Sequence, residues 1–389
     1  MTIAAHHVSR LLCLTLATQA LLVSSCGRHH TENAVELCAL GNAQEGTIHD
    51  VFSSVEVIKL EYGGEDYPRD AGDLRVEDCG VIVADSRGVV HVFGADGHYV
   101  ASSSSAMGEG PEEFSMMLGY GWNPYSHCIE VLTSNSMISY TPEFKYVSKA
   151  KLPTYLGKHS LTFTEVYALN ETSYILLPSG ISDNSDRLIF YDSEQEKQTG
   201  EVDYSDEYSC RLNLQPRKFW PMKDGRMMFT PMGMPYHVDW FDAESGSLST
   251  AVEFTMGSDA LALSDLEDLG GGCQERGQYL LTCDKEILIR VMPLQDSFIA
   301  YSKRGQTIRQ MTAYVANRTT GKAIKVDLFD SEGNRQFPLI ADVDGEYAYV
   351  VMERDVLADS PHLLLDHDPE KILSGIDSES FVLLKYRIK

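Results

Sequence analysis

Val92-Phe93-Gly94-Ala95-Asp96-Gly97, Ser139-Tyr140-Thr141-Pro142-Glu143-Phe144, Phe190-Tyr191-Asp192-Ser193-Glu194-Gln195 and Trp240-Phe241-Asp242-Ala243-Glu244-Ser245 are four copies of one phrase. An aromatic residue ends an apolar strand, an acidic or small-polar turn follows, and a second strand begins. A looser fifth copy runs from Ala313-Tyr314 to Gly321. The aromatics step by 47, 51, 50 and 73 residues. A repeat of that period, built from strands and tight turns, predicts a β-propeller.

The segments around each anchor alternate as half-buried strands do. Val81–Asp85 leads through Arg87-Gly88 to Val89–Phe93, and Asp96-Gly97 turns into His98–Val100. Asp-Gly between alternating strands is a strong hairpin signal, because Gly accepts the positive φ of the turn. The stretched 73-residue step falls where residues 257–290 insert a polar segment containing Gly270-Gly271-Gly272. That insertion is expected to form a loop or small lid on one face. A sixth unit starts near Phe337 and ends with Phe381–Tyr386, one outer strand short. Val55–Leu60, ahead of the first blade, can supply that strand. The expectation is an all-β, six-bladed β-propeller over residues 50–389. An N-terminal strand joining the C-terminal blade would close the ring and remove an open edge.

The first 25 residues read as a processing segment. Arg10 and the histidines His6 and His7 precede the apolar run Leu11–Val23, which is short for a membrane span. It closes on Val23-Ser24-Ser25-Cys26, which resembles a bacterial lipobox. The resemblance implies a signal peptide over 1–25, lipidation of Cys26, and membrane attachment through that anchor. Residues 26–49 are expected to be a tether. Gly27 follows the cysteine, and acidic residues are sparse after it. These features favour the outer membrane of the cell envelope, with the periplasmic face ahead of the cell surface.

Lys and Arg number 32 against 57 Asp and Glu, a formal charge of −25. That balance argues against nucleic acid, whose phosphates demand clustered cations, and against electrostatic docking on anionic lipid. Beyond Cys13 and Cys26, six cysteines remain, without any Cys-x-x-Cys. Cys273 and Cys283 share one insertion and could close a short loop.

Between the first two blades stands Gly108-Glu109-Gly110-Pro111-Glu112-Glu113-Phe114. With the lipobox and the blade pattern, this stretch resembles the six-bladed β-propeller lipoproteins of Bacteroidetes, related in shape to NHL and TolB-like propellers. The similarity covers about residues 50–389. It implies a fold and a location rather than an activity. The motif lacks the Lys-Ser/Thr of a phosphate loop and carries three glutamates, so it reads as a tight inter-blade crossing.

Several constellations could carry chemistry. Arg217-Lys218-Phe219-Trp220 is a basic and aromatic patch on an acidic chain. Trp220 could stack on a sugar, and Arg217 or Lys218 could pair a carboxylate. His362-Leu363-Leu364-Leu365-Asp366-His367-Asp368 concentrates donors for a divalent cation, with His362, Asp366 and His367 as candidate ligands. Asp342-Val343-Asp344-Gly345-Glu346 starts like a calcium loop but lacks the distal ligands, so a hairpin turn is the simpler reading. Met222, Met227, Met228, Met232 and Met234 could hold Cu(I) or fill a core.

Three functions fit this inventory. The leading one is a noncatalytic binding or scaffold lipoprotein, holding an envelope protein or glycan partner over one face. The second is a metal-dependent hydrolase or lyase at the central channel. The third is a carbohydrate or small-molecule binder using Trp122, Trp220 or Trp240.

Overall fold

A ring of sheets must find a partner for its first and last edges, and the chain solves this before its first blade begins. The computed structural model describes residues 35–61, 64, 67–70, 72–156, 159–179, 186–204, 217–231, 236–262, 264–267, 273–305, 308–378 and 380–389. Three N-terminal strands come first: β1 (Glu36–Ala39), β2 (Gln44–Glu45) and β3 (Phe52–Lys59). Blade 1 holds β4 (Asp73–Glu77), β5 (Gly80–Ala84), β6 (Val90–Phe93) and β7 (Tyr99–Ser102). Blade 2 holds β8 (Gly119–Asn123), β9 (Cys128–Leu132), β10 (Ser136–Tyr140) and β11 (Tyr146–Lys151). A small pair, β12 (Tyr155–Leu156) and β13 (His159–Ser160), leads to blade 3. That blade holds β14 (Phe163–Ala168), β15 (Ser173–Pro178), β16 (Arg187–Asp192) and β17 (Lys197–Asp203). Blade 4 holds β18 (Phe219–Pro221), β19 (Met227–Phe229), β20 (His237–Phe241) and β21 (Leu248–Thr255). Blade 5 holds β22 (Glu286–Pro293), β23 (Ser297–Arg304), β24 (Met311–Asn317) and β25 (Ala323–Asp327). Blade 6 holds β26 (Asp342–Asp344), β27 (Tyr347–Glu353) and β28 (Phe381–Ile388), completed by β3.

The closure is therefore as expected. β3 pairs antiparallel with β28, from Lys59 opposite Val382 to Phe52 opposite Ile388. The first strands of the blades stand next to one another around the axis, β26 beside β4 and β22 beside β26. β8 and β14 come closer still and pair in parallel at Tyr120 and Glu165, fusing blades 2 and 3 into one eight-stranded sheet. Glycine permits this approach. A Cβ on Gly119 or Gly121 would stand 1.9 or 2.5 Å from a carbonyl oxygen of β14.

The repeated aromatic has a clear task. Phe93, Tyr140, Tyr191, Phe241 and Tyr314 all lie in the third strand of their blade and are buried. Tyr386 of β28 is the sixth member. The tyrosine hydroxyls donate to chain outside their own strand: Tyr140 to Glu112 O, Tyr191 to Lys151 O, and Tyr386 to Leu363 O. The turn that follows carries a residue at positive φ in five blades: Gly97, Phe144, Glu196, Gly246 and Gly321. Two are not glycine, which blurs the repeat in the sequence.

The 108–114 motif forms the inter-blade crossing. The Gly110 N–H donates to the Glu113 carboxylate at 2.8 Å, and Phe114 is buried against Tyr140. Residues 257–285 contain two helices where described, Ser264–Glu267 and Cys273–Thr282, so no seventh blade is inserted there among the described residues. The second helix also answers the cysteine question. At 1.5 Å per residue, Cys273 and Cys283 are separated by about 15 Å, beyond disulfide reach. Cys283 is a free thiol.

One boundary differs from the sequence reading. The stretch 37–49 is not a free tether but part of the propeller. β1 extends the outer edge of blade 4, and β2 pairs in parallel with β25 on the outer edge of blade 5. A short helix, Ile48–Val51, then buries Ile48 and Val51 before β3 begins. Their shortness concealed these strands, which run for only 4 and 2 residues. Cys26 lies outside the described residues.

The closing strand makes a test possible. Gly97 and Gly88 both have positive φ. A Cβ at Gly97 would meet the Lys59 carbonyl of β3 at 2.1 Å, whereas one at Gly88 would meet open space. Both Gly→Ala variants should lose about 1–2 kcal/mol from backbone strain. Gly97→Ala should lose measurably more in chemical denaturation, and equal losses would show that the turn does not brace the closing strand.

Candidate functional site

Asp73-Leu74-Arg75-Val76-Glu77 is the first strand of blade 1. The two-residue period puts its three charges on one face and Leu74 with Val76 on the other. The charged face looks to the axis and meets charges from other blades. Arg217, at the start of blade 4, pairs with Glu77 of blade 1 and stands 3.9 Å from Asp342 of blade 6. Asp342 also accepts the Val76 N–H at 2.8 Å. Lys218 is fully buried and reaches Glu165 of blade 3 at 3.2 Å. Arg75 lies over the Tyr120 ring of blade 2, 4.6 Å from its centroid. The Arg290 guanidinium of blade 5 donates to Ile340 O at 3.0 Å.

Burial sets the electrostatics of this network. It pushes the Asp342 and Glu77 carboxyls above their usual range, with Arg217 pulling both back. It pushes the Lys218 ammonium down, with Glu165 opposing. These are the opposing effects expected when charges leave water and are then paired.

Two cavities open at the mouth formed by the turns between first and second strands. One, of about 290 Å³, is bordered by Glu77, Arg217, Trp220, Lys223, Gln295 and Asp344. The other, of about 360 Å³, is bordered by Arg75, Trp122, Tyr125, Glu165, Tyr167 and Phe219. Glu77, Asp78, Arg217 and Pro221 border both, so Arg217 stands in the shared wall. The first lobe is polar, and the second is walled by aromatic rings.

The sequence candidates fall into two groups. Arg217 and Lys218 are brought to the axis. Trp220 borders the first lobe but is only 2% exposed, and its indole N–H donates to Thr230 Oγ1 at 3.1 Å. Its ring is therefore core, not a platform for a sugar. Trp240 is also occupied, with the Arg226 guanidinium stacked 3.7 Å from its ring. The proposed metal ligands do not converge. His367 Nε2 donates to Val55 O at 2.8 Å, Asp366 is exposed, and His362 borders a different cavity beside Thr47 and Asp330. Leu365, at φ 54°, turns the chain between the two histidines. Asp368 caps the helix Pro369–Leu373. Among the described residues no group of three His, Cys, Asp or Glu is placed to hold a metal ion. Met228 is core, and Met232 and Met234 lie outside the described residues.

Sequence reasoning missed Arg75, Glu77, Glu165 and Asp342. The alternation of charge in 73–77 was the available signal. Asp342-Val343-Asp344-Gly345 does form the hairpin turn, but Asp342 turns its side chain to the axis.

Removing Arg217 leaves two buried carboxylates without their cation. Arg217→Gln should cost roughly 3–5 kcal/mol at neutral pH. The folded-state pKa values of Glu77 and Asp342 are already raised, so the folded ring binds these protons more readily than the unfolded chain. Without Arg217 they rise further. The stability deficit should therefore shrink as pH falls through the raised pKa values, and a pH-independent deficit in urea denaturation would contradict this account.

Comparison with known proteins agrees with this architecture. A protein of Bacteroides fragilis described as a candidate exported protein superposes with a TM-score of 0.69 at 13% identity, covering 91% of this chain and 99% of its own. A member of the duf4221 family from Bacteroides vulgatus gives a TM-score of 0.52 at 10% identity, covering 87% and 98%. At these identities the likeness shows the fold. No curated protein matches the sequence. The profile of the DUF5128 family, described as a 6-bladed beta-propeller, matches residues 27–340, and the chain belongs to that family.

Proposed function

We propose that this protein is a lipid-anchored binding or scaffold module of the cell envelope, engaging a protein or glycan partner at the two-lobed channel mouth. The observation that carries the reading is Arg217, held by Glu77 and Asp342 in the wall between the two cavities. Each of its partners comes from a different blade, so the mouth is braced by the ring itself. Such a preorganised concave surface loses little entropy on binding. Lys218 is likewise held by a carboxylate of another blade, Glu165. Short turns surround this mouth and leave it accessible, with Tyr125 52% exposed at its rim.

The address is part of the same reading. The lipobox nominates Cys26 for acylation, and no helix among the described residues is long and apolar enough to cross a membrane. A similar protein is described as exported. The outer membrane, on its periplasmic side, is the proposed location.

Two measurements test this. Cys26→Ser should shift the protein from the membrane pellet to the soluble fraction, and unchanged sedimentation would overturn the anchor. Purification of the full lipoprotein from its own envelope in mild detergent, followed by mass spectrometry, should yield a stoichiometric partner at moderate salt. Tyr125→Ala, at an exposed rim position, should weaken that retention at least about fivefold, as expected for an interface aromatic. A clean monomer would overturn the stable-complex reading.

A further inference from the structure

We propose that the aromatic lobe of the mouth is a pocket for a ring-bearing carboxylate, either a sugar acid or an aromatic acid. The proposal rests on the reading of the mouth as a binding site and names what this part of it takes.

The lobe holds donors that the protein leaves unused. Buried donors without a partner are rare in folded proteins. Arg75 is 8% exposed. Its Nε contacts Asp73 at 3.5 Å and its plane packs on Tyr120, while Nη1 and Nη2 have no hydrogen-bond partner among the described residues. The Tyr167 hydroxyl, which also borders the lobe, is likewise unpaired among them. The neighbouring acceptors are taken, Glu165 by Lys218 and Glu77 by Arg217. Asp78 stands at the rim, 3.4 Å from His127.

A ligand that completes this pocket must therefore bring acceptor oxygens. A guanidinium edge suits a carboxylate, which it can hold through two parallel bonds. The rings of Tyr125 and Tyr167 offer flat faces for a ring attached to that carboxylate. Three cations, Arg75, Arg217 and Lys218, face three carboxylates, Glu77, Asp78 and Glu165. Asp73 and Asp342 stand behind Arg75 and Arg217, and this surplus of carboxylates disfavours a dianionic phosphate. A neutral sugar brings as many donors as acceptors and would leave the protein donors half-satisfied. The volume of about 360 Å³ admits one or two rings.

The test is titration of the full-length protein, followed by calorimetry and tryptophan fluorescence. The probes are glucuronate with glucose as its neutral counterpart, phenylacetate with phenylacetamide as its own, and inorganic phosphate. At least one acid should bind, at least about tenfold more tightly than its neutral counterpart and than phosphate, and the acid preferred identifies the source. Tyr167→Phe keeps a ring and deletes the donor. It should weaken binding about tenfold, the scale of a lost charge-assisted hydrogen bond, with the thermal midpoint unchanged. Arg75→Lys, which keeps the charge and loses the fork, should also weaken the acid and not the neutral probe. The assignment falls if neither acid binds, if a neutral probe or phosphate binds as well, or if Tyr167→Phe leaves affinity intact. An envelope partner retained while both acids fail would sink the pocket and leave the binding-module reading standing. Loss of both would remove both.

Discussion

Closing the ring is the constraint on which the rest depends. A sheet edge left open is a row of unpaired backbone groups, and a propeller has one such seam. Here the seam is held by β3 against β28, in one register from Ser54 to Lys59 with a shift before Phe52. Stacked rings reinforce it, with Phe52 lying 4.5 Å from Tyr386 and 5.4 Å from Phe337. The chemistry at the axis needs this closure. Asp342 of blade 6 meets the Val76 N–H of blade 1 and Arg217 of blade 4 only in a complete circle.

The axis uses polarity where the spaces between blades use apolar packing. Between blades, Ile82, Val92, Trp122 and Ile138 belong to one core cluster, and Leu176, Ile189 and Tyr191 to the next. Around the axis the first strands present Arg, Lys, Asp and Glu. Buried ion pairs add little net stability compared with well-packed hydrophobes, but leaving one member alone is costly. Such pairs therefore favour one relative arrangement of blades over a slipped one. They also explain how a chain of net charge −25 keeps several cations out of solvent and beside a cavity.

Much of the scaffold was legible because it is local. The aromatic anchors, the turns and the missing outer strand of the last blade all follow from patterns within about ten residues. The Gly108–Phe114 crossing was readable for the same reason. The site was not, since its members come from all six blades, separated by tens to hundreds of residues, and only the ring brings them together. Arg217 and Lys218 stood out as cations on an acidic chain. Their partners Glu77, Glu165 and Asp342 did not, being carboxylates among many. Trp220, beside two cations, could have been a sugar platform or a packed blade edge, and it is the second, buried with its indole N–H on Thr230. Residues 37–49 were read as a tether because the strands there run for only 4 and 2 residues.

The lacing of the N-terminal segment over blades 4, 5 and 6 has a consequence in time. Ser53 and Arg387, which meet across the seam, are 334 residues apart in the chain. A strand synthesised among the first must wait for one synthesised among the last. Contacts of such separation are slow to form, and the intervening state exposes both edges. The outer strands β1 and β2 face the same wait, since their partners β21 and β25 come some two hundred residues or more later. Maturation is thus a single late event. Until the last strand is made, blade 6 is incomplete and there is neither mouth nor axis.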